Sequence, residues 1–298
     1  MARAHVTDSL FRRTASWILP HQIFLQVVRH RDRLWQIRNS GLGLGAIRKL
    51  IANNRVLRSI HEGRRCFILC NGPTVGTQNL LPLANEIVIS VSNGYHHPDF
   101  LKFQPRYHCV ANITRTRLTE DDIVTWFREM DSRLGDAELF LSYTEAAIVK
   151  KHGLFAGRKV HYLFLLEPFE QLSNRAIPDL SEAIPAIQSA PIMALMVALY
   201  LGCKDMYLLG VEHDHFKTGV YKYFYEPTVL KGKDISVSAD GRNLTQYFEL
   251  FHTLGQLWRQ YRIVGEIANA NGARIWNATA GGELDEFPRV KLTDIVDG

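Results

Sequence analysis

The chain has 298 residues, 46% of them hydrophobic and 22% charged, with a formal net charge of +5. That length fits one large α/β domain or two small ones, and the composition is that of an ordinary globular protein. No uninterrupted apolar stretch of 18 residues occurs, which excludes a transmembrane helix. The apolar start of Trp17-Ile18-Leu19 runs directly into Pro20-His21-Gln22, which argues against a secretory signal. Cys66, Cys70, Cys109 and Cys203 lie in apolar runs without zinc spacing, and read as buried thiols of a reducing cytoplasm. The charge is uneven. Residues 1–65 hold 13 Lys or Arg against 3 Asp or Glu, a balance of +10, so the remainder is −5. A basic arm on a mildly acidic body points to an anionic surface as partner.

In chain order, residues 1–63 form that basic N-terminal arm, helical over 7–61 by the spacing of Phe24, Val27, Val28, Leu34 and Ile37. Gly41, Gly43 and Gly45 interrupt it and a helix resumes over Ala46–Ile60. Arginines with Trp17, Phe24 and Trp35 on such a helix suit the surface of an anionic membrane; the competing reading is an arm packed on the body or on a second copy of the chain. From residue 64 the pattern becomes strand–loop–helix alternation. Apolar runs at Cys66–Cys70, Ile87–Ser92, Tyr107–Ala111, Glu138–Ser142, Val160–Leu165, Met206–Gly210 and Arg274–Trp276 read as strands. Residues 120–131, Ile192–Leu201 and 244–271 read as helices. This alternation predicts an α/β fold: a doubly wound, mostly parallel, Rossmann-like sheet over residues 64–298. The long connection 212–240, rich in Tyr, His and Lys, reads as a lid.

The candidate site begins at the end of the first strand, where Cys66–Cys70 empties into Asn71-Gly72-Pro73-Thr74. Two further strand runs also end on asparagine, at Ser92-Asn93 and at Asn112. Strand ends on one edge of a parallel sheet converge, and uncharged donor–acceptor side chains there suit a ribose, a base edge or a phosphate. The octet matches neither a P-loop nor a dinucleotide fingerprint. Glu212-His213-Asp214-His215 follows the strand at 206–210. On an extended segment both histidines share one face, so the tetrad reads as a metal site, as a phosphate or carboxylate contact, or as plain loop. Without a third or fourth ligand elsewhere, a metal is not expected. His252 lies in an apolar helical context, either as a satisfied histidine or as a general base.

Asn71-Gly72-Pro73-Thr74 resembles the Asn-Gly-Pro-Ser start of the bacterial lipooligosaccharide sialyltransferases. It also resembles the wider Rossmann-like family that includes motility-associated flagellin glycosylation factors and an archaeal hydroxymethylpterin pyrophosphokinase. Gln188-Ser189, the helix after it and the run Gly202 to Glu212 resemble the corresponding ungapped block of those sialyltransferases. Ser92-Asn93 and Asn112 fall at their strand-end asparagines, and His252 stands before Asn277 much as their base histidine precedes the last strand. The resemblance spans about residues 64–280. It departs from the pattern at Ala186, where those enzymes carry an Arg, and at Asp214, where they carry a Tyr, although Tyr221, Tyr223 and Tyr225 follow closely.

The resemblance implies a transferase moving a sialic-acid-like sugar from a CMP-activated donor to a glycan or lipid-linked glycan acceptor, with inversion. Its nucleotide would rest on Asn71, Gly72, Pro73, Thr74, Ser92, Asn93, Asn112, Gln188 and Ser189. The phosphate and lid groups would be Glu212, His213, Asp214, His215, Tyr221, Tyr223 and Tyr225. His252 would be the base, and no cofactor is obligatory. The alternatives are an ATP- and magnesium-dependent pyrophosphokinase of the pterin type, using Glu212 and Asp214, and a non-catalytic nucleotide- or glycan-binding module. Nucleic acid is not an expected partner, since no recognised motif accompanies the basic arm. The expected location is the cytoplasm, with peripheral contact at the inner membrane.

Overall fold

The computed structural model describes residues 42–111, 113, 118–167, 169, 175–226 and 246–296. The chain divides into two units, Met1–Ile47 and Arg48–Gly298. Of the first, only residues 42–47 are described, and they include the start of helix α1 (Leu44–Ala52). The proposed helical arm over 7–41 and its surface contact lie outside the described residues. No described helix is long and apolar enough to cross a membrane. The helix expected to run to Ile60 gives way to a 3-10 turn at Asn53–Leu57. Asn54 is the physical reason: its buried amide turns inward and donates to the carbonyls of Tyr162 and Leu180, both at 2.8 Å.

The second unit is built on eight described strands: β1 (Arg65–Leu69), β2 (Ile87–Val91), β3 (Tyr107–Val110), β4 (Glu138–Ser142), β5 (Val160–Glu167), β6 (Ala183–Pro185), β7 (Asp205–Leu209) and β8 (Arg274–Asn277). They form one sheet in the order β6-β5-β4-β3-β2-β1-β7-β8. Each neighbouring pair is parallel, with Phe67 beside both Val88 and Tyr207. The doubly wound α/β expectation therefore holds, and among the described strands the sheet is wholly parallel. Five strands, β2 to β6, run outward from β1 on one side, and β7 and β8 lie on the other. The order reverses between β1 and β7, which makes the crevice beyond their carboxyl ends the topological switch point.

The alternation of side chains builds two cores. Cys66, Ile68, Ile89, Cys109, Phe140, Met206 and Leu208 face one layer, and Phe67, Leu69, Val88, Val110, Leu139 and Leu209 face the other. A sheet covered on both faces needs continuous apolar strands, which is why these runs show no polar alternation. On the first face lies α5 (Ala190–Tyr200), every residue of which is buried. It sits between the sheet and α7 (Tyr247–Ala270), so it has no solvent side to make polar. On the second face α3 (Glu120–Arg133) opens with a capping box, Thr119 and Asp122 satisfying each other's amides, and buries Val124, Trp126, Phe127 and Met130. The short helices are α2 (Phe100–Phe103), α4 (Ala146–His152), α6 (His215–Thr218) and α8 (Leu292–Val296).

Candidate nucleotide-binding site

A cavity of about 380 Å³ opens at the switch point. Asn71, Gly72 and Pro73 line it from the end of β1, and Ser92 and Asn93 from the end of β2. Ser189 enters from the start of α5, and Glu212 to His215 follow β7. The loop returns Tyr221, Lys222, Tyr223 and Tyr225 to the same wall. The structure thus gathers most of the residues singled out in the sequence. Thr74 and Gln188 are neighbours of the wall and not part of it. Asn112 and residues 227–240 of the lid lie outside the described residues.

The floor is fixed by Glu212, which is 5% exposed. Its Oε1 accepts from the Thr74 amide at 2.9 Å and from the Thr74 hydroxyl at 2.6 Å. The other oxygen, Oε2, is buried without a hydrogen-bond partner, as are Asn71 Oδ1 and Ser189 Oγ. A Cβ on Gly72 would stand 1.4 Å from Glu212 Oε2, so only glycine lets the turn lie against this carboxylate. Glu212 is held from behind as well. Gly282 has φ +80°, a Cβ there would meet the Glu212 backbone at 2.2 Å, and the Glu283 amide donates to the Glu212 carbonyl at 2.6 Å. That tail is pinned in turn by Arg289, whose guanidinium donates to the carbonyls of Gly281 at 2.8 Å and Gly282 at 2.7 Å. Thr279 completes the brace: its hydroxyl accepts from the Val211 amide at 3.1 Å.

Asn93 has a different role from the one its strand-end position suggests. Its Oδ1 accepts from the Trp126 indole at 2.7 Å, and its amide donates to the Tyr225 hydroxyl at 2.9 Å. Tyr225 stacks on His96, with ring centroids 4.8 Å apart and planes at 16°. The Phe224 amide donates to the Asn71 carbonyl at 3.2 Å. The described part of the loop therefore already lies over the strand ends, and Asn93 is one of its anchors. Beneath it, Ser92 takes φ +51°. Its carbonyl accepts from His108 Nε2 at 2.9 Å, while Nδ1 lies 2.7 Å from the Ser90 hydroxyl. Burial pushes the His108 imidazole down to about 3, so it is neutral at physiological pH and rigidly fixes this turn.

The Glu212-His213-Asp214-His215 segment is not extended. His213 takes φ +48°, and His215 begins α6, so the two rings separate instead of sharing a face. His213 Nε2 pairs with the Tyr261 hydroxyl at 2.8 Å, and its ring packs beside Trp258 and Tyr261. An edge of His213 reaches the surface, yet burial, and secondarily His215, push its imidazole down to about 3. His215 Nε2 pairs with the Tyr221 hydroxyl at 2.8 Å, and burial lowers its pKa. Among the described residues no group of three or more His, Cys, Asp or Glu is placed to hold a metal.

His252 is not in the cavity wall. It is exposed in the second turn of α7, with its Nε2 3.0 Å from Gln256 Nε2 and its ring stacked on Phe248. Its link to the site is indirect. Gln256 Oε1 accepts from Gln188 Nε2 at 3.0 Å, and Gln188 precedes Ser189. One turn on, Gln260 Oε1 accepts from the Gln188 amide at 2.9 Å and its Nε2 donates to the Ala186 carbonyl at 3.3 Å. These glutamines hold the entry into α5. Sequence reading passed over Gln260, Trp126, His108, Thr279 and Arg289, because each acts through partners far away in the chain. The one signal present was Gln260, a polar residue beside Leu257, Tyr261 and Val264 on the buried face of the helix.

The fold defines an α/β protein of the Rossmann-like class, with a crevice at its topological switch point. Comparison with solved structures returns sialyltransferases. One is the sialyltransferase CST-II carrying an asparagine-to-alanine substitution, in complex with CMP; it is 14% identical, covers 75% of this chain and 85% of its own, and has a TM-score of 0.43. Another is CstII from Campylobacter jejuni with cytidine-5'-monophosphate, 13% identical over 77% of this chain and 85% of its own, at a TM-score of 0.40. A tyrosine-to-phenylalanine CST-II with CMP is 12% identical over 74% and 84%, at 0.39. No family model and no curated protein matches the chain.

Proposed function

We propose that the chain is a glycosyltransferase that takes a sialic-acid-like sugar from a CMP-activated donor and delivers it to a glycan or lipid-linked glycan acceptor. The observation that carries this reading is that Asn71, Ser189 and Glu212, each with a buried polar atom lacking a hydrogen-bond partner, line one switch-point cavity with Tyr225 and the loop after β7. Buried polar atoms without partners are costly, so a ligand rich in hydroxyl and amide groups is strongly favoured there. Charge supports a single phosphate. The described wall carries the carboxylates of Glu212 and Asp214 but only one ammonium, Lys222, and its two histidines are held towards neutrality. A triphosphate would meet that wall with little compensation.

In this reading the α5 N-terminus, capped by Ser189 with no side-chain capping bond and carrying Pro191 without an N–H in its first turn, would face the departing phosphate with its positive end. The Tyr225 hydroxyl accepts from Asn93, which leaves its own proton to donate. The base removes the acceptor hydroxyl proton, the acceptor oxygen attacks the anomeric carbon, and the bond to the CMP oxygen breaks with its electron pair leaving on phosphate. Direct displacement of this kind inverts the centre. His213 and His215 are committed to Tyr261 and Tyr221; His252, which lies outside the cavity wall and reaches it only through Gln256 and Gln188, is assigned as the base on its position before Asn277 in the sialyltransferase resemblance. The basic N-terminal arm would hold the enzyme at an anionic inner leaflet, near lipid-linked acceptors.

The test is a thermal-shift series with CMP, CDP, UDP, GDP and ATP, each with and without magnesium. A shift with CMP that is independent of magnesium is expected. A shift confined to ATP with magnesium would replace this reading with the pyrophosphokinase. Turnover assays with CMP-linked acidic sugars then separate an enzyme from a binding module: His252→Ala should abolish transfer and retain CMP binding.

A further inference from the structure

The turn that carries the wall onward from β7 depends on an unfavourable backbone. His213 stands between Glu212 and Asp214, both in the cavity wall, and takes φ +48°, in the left-handed region that a side chain resists. A histidine held there needs an anchor. Its Nε2 pairs with the Tyr261 hydroxyl at 2.8 Å, and its ring packs with centroids 5.6 Å from those of both Tyr261 and Trp258. Tyr261 is itself locked: it is 0% exposed, and its ring meets Phe287 edge-on with centroids 5.8 Å apart. The preceding residue of α7, Gln260, holds the other segment, bonding the Gln188 amide and the Ala186 carbonyl ahead of Ser189. Two successive residues of α7 thus fix the segments that bring Ser189 and His213 into the wall, although none of α7's own residues lines it.

We propose that Tyr261 is a positioning residue for the nucleotide: its hydroxyl holds His213 in the left-handed turn, and that turn sets Glu212, Asp214 and His215 where the ligand needs them. This rests on the nucleotide reading of the cavity. Without the hydroxyl the backbone at His213 relaxes towards ordinary φ, and α6 starts from a different direction. The Tyr221 ring, stacked on His215 with centroids 3.9 Å apart, shifts with it. Ligand then binds only the fraction of molecules that still hold the turn, and its apparent affinity falls by that fraction. Tyr261 lies behind the wall and acts through His213.

The experiment pairs calorimetric CMP titration with ligand-free hydrogen exchange on the full chain. It compares wild type, Tyr261→Phe, and Tyr261→Phe combined with His213→Gly or with His213→Ala. Tyr261→Phe retains the ring and its packing, so it should bind CMP about tenfold more weakly and exchange faster over residues 212–216. Glycine takes a positive φ freely, so adding His213→Gly should recover most of the lost affinity. Alanine removes the same imidazole but still resists that backbone, so adding His213→Ala should not. Wild-type affinity and exchange in Tyr261→Phe would overturn the proposal. Recovery in both double variants would assign the loss to the stranded imidazole, and recovery in neither to general loosening; each overturns it. If Tyr261→Phe does not fold, the single variants decide: both lose the Tyr261 bond, yet only His213→Ala should weaken CMP binding, and equal affinities would overturn the proposal. Failure of CMP to bind wild type would overturn the nucleotide reading, while exchange over 212–216 would still decide whether Tyr261 holds the turn.

Discussion

The Asn93 side-chain amide donates to the Tyr225 hydroxyl across 132 residues of chain, while the Asn93 carbonyl accepts from the Trp126 indole. One side chain thereby joins the end of β2, helix α3 and the loop after β7. The Tyr225 phenol is largely buried, and that burial holds its pKa above the usual tyrosine range. Tyr225→Phe keeps the ring stack on His96 and removes only the hydroxyl, both the acceptor for Asn93 and the proton it can donate. The expected cost is about 1 kcal/mol in stability, with faster hydrogen exchange over residues 221–226 and weaker CMP binding. Unchanged exchange across that segment would contradict the anchoring role.

Two glycines touch Glu212, and they should fail differently. At Gly72 the added methyl meets a carboxylate, which can swing aside at the expense of its bonds to Thr74. At Gly282 it meets backbone, and φ +80° already disfavours a side chain. Gly282→Ala should therefore lower stability more, by about 2–3 kcal/mol or beyond. Gly72→Ala should cost less stability and more CMP affinity. Denaturant titrations paired with CMP titrations of both variants check the ordering.

Stability should depend on pH through two groups of opposite sign. His108 is fully buried and its folded-state pKa is depressed to about 3 from 6.5. Its contribution is present above about 6.5 and is lost as pH falls towards 3, with His213 adding to the loss in the same direction. Glu145 is 5% exposed, and burial raises its carboxyl to about 7 from 4.5, against a bond from the Thr144 hydroxyl at 2.8 Å. Its contribution is present below about 4.5 and is lost as pH rises through about 7. Glu145→Gln, which mimics the protonated carboxyl, should gain up to about 3 kcal/mol over wild type at pH 8, and that gain should vanish by about pH 4.5. Denaturant midpoints measured from pH 4.5 to 8 give the answer.

Gln260 satisfies both the Gln188 amide and the Ala186 carbonyl from a position 6% exposed to solvent. Gln260→Ala leaves two backbone groups without their partner, and should cost about 2 kcal/mol. Because the released segment leads into Ser189, CMP binding should weaken by more than the stability loss alone explains. Gln256→Ala removes only the exposed side-chain contact to Gln188 and leaves the backbone bonds of the segment in place, so it should weaken CMP binding less than Gln260→Ala does.

Seven of the eight described strands were legible in the chain because parallel strands buried on both faces are short continuous apolar runs. β6 has only three residues, with a register shift opposite Leu165 and Glu167, and carries no such signal. The switch-point residues were legible for a related reason: Asn71, Ser92 and Asn93 stand where apolar runs stop, and such stops lie on one edge. Of the readings open for the tetrad at 212–215, only the shared face of an extended segment fails, because a left-handed His213 breaks that periodicity. His252 was placed by chain spacing, which specifies a position on α7 and says nothing of distance to the cavity. Trp126, Gln260 and Arg289 belong to pairings that only the folded topology creates.

The brace behind Glu212 also sets the order in which the cavity is completed. Asn71 and Gly72 leave the ribosome early, whereas Arg289, which pins the Gly281–Gly282 carbonyls, follows 218 residues after Asn71. At ordinary translation rates that interval is roughly 10–45 s. Until it ends, the β1 turn exists without its support, and a ligand offered to the nascent chain finds no finished pocket. Synthesis itself therefore acts as a timer, coupling the first competence to bind with the arrival of the last brace.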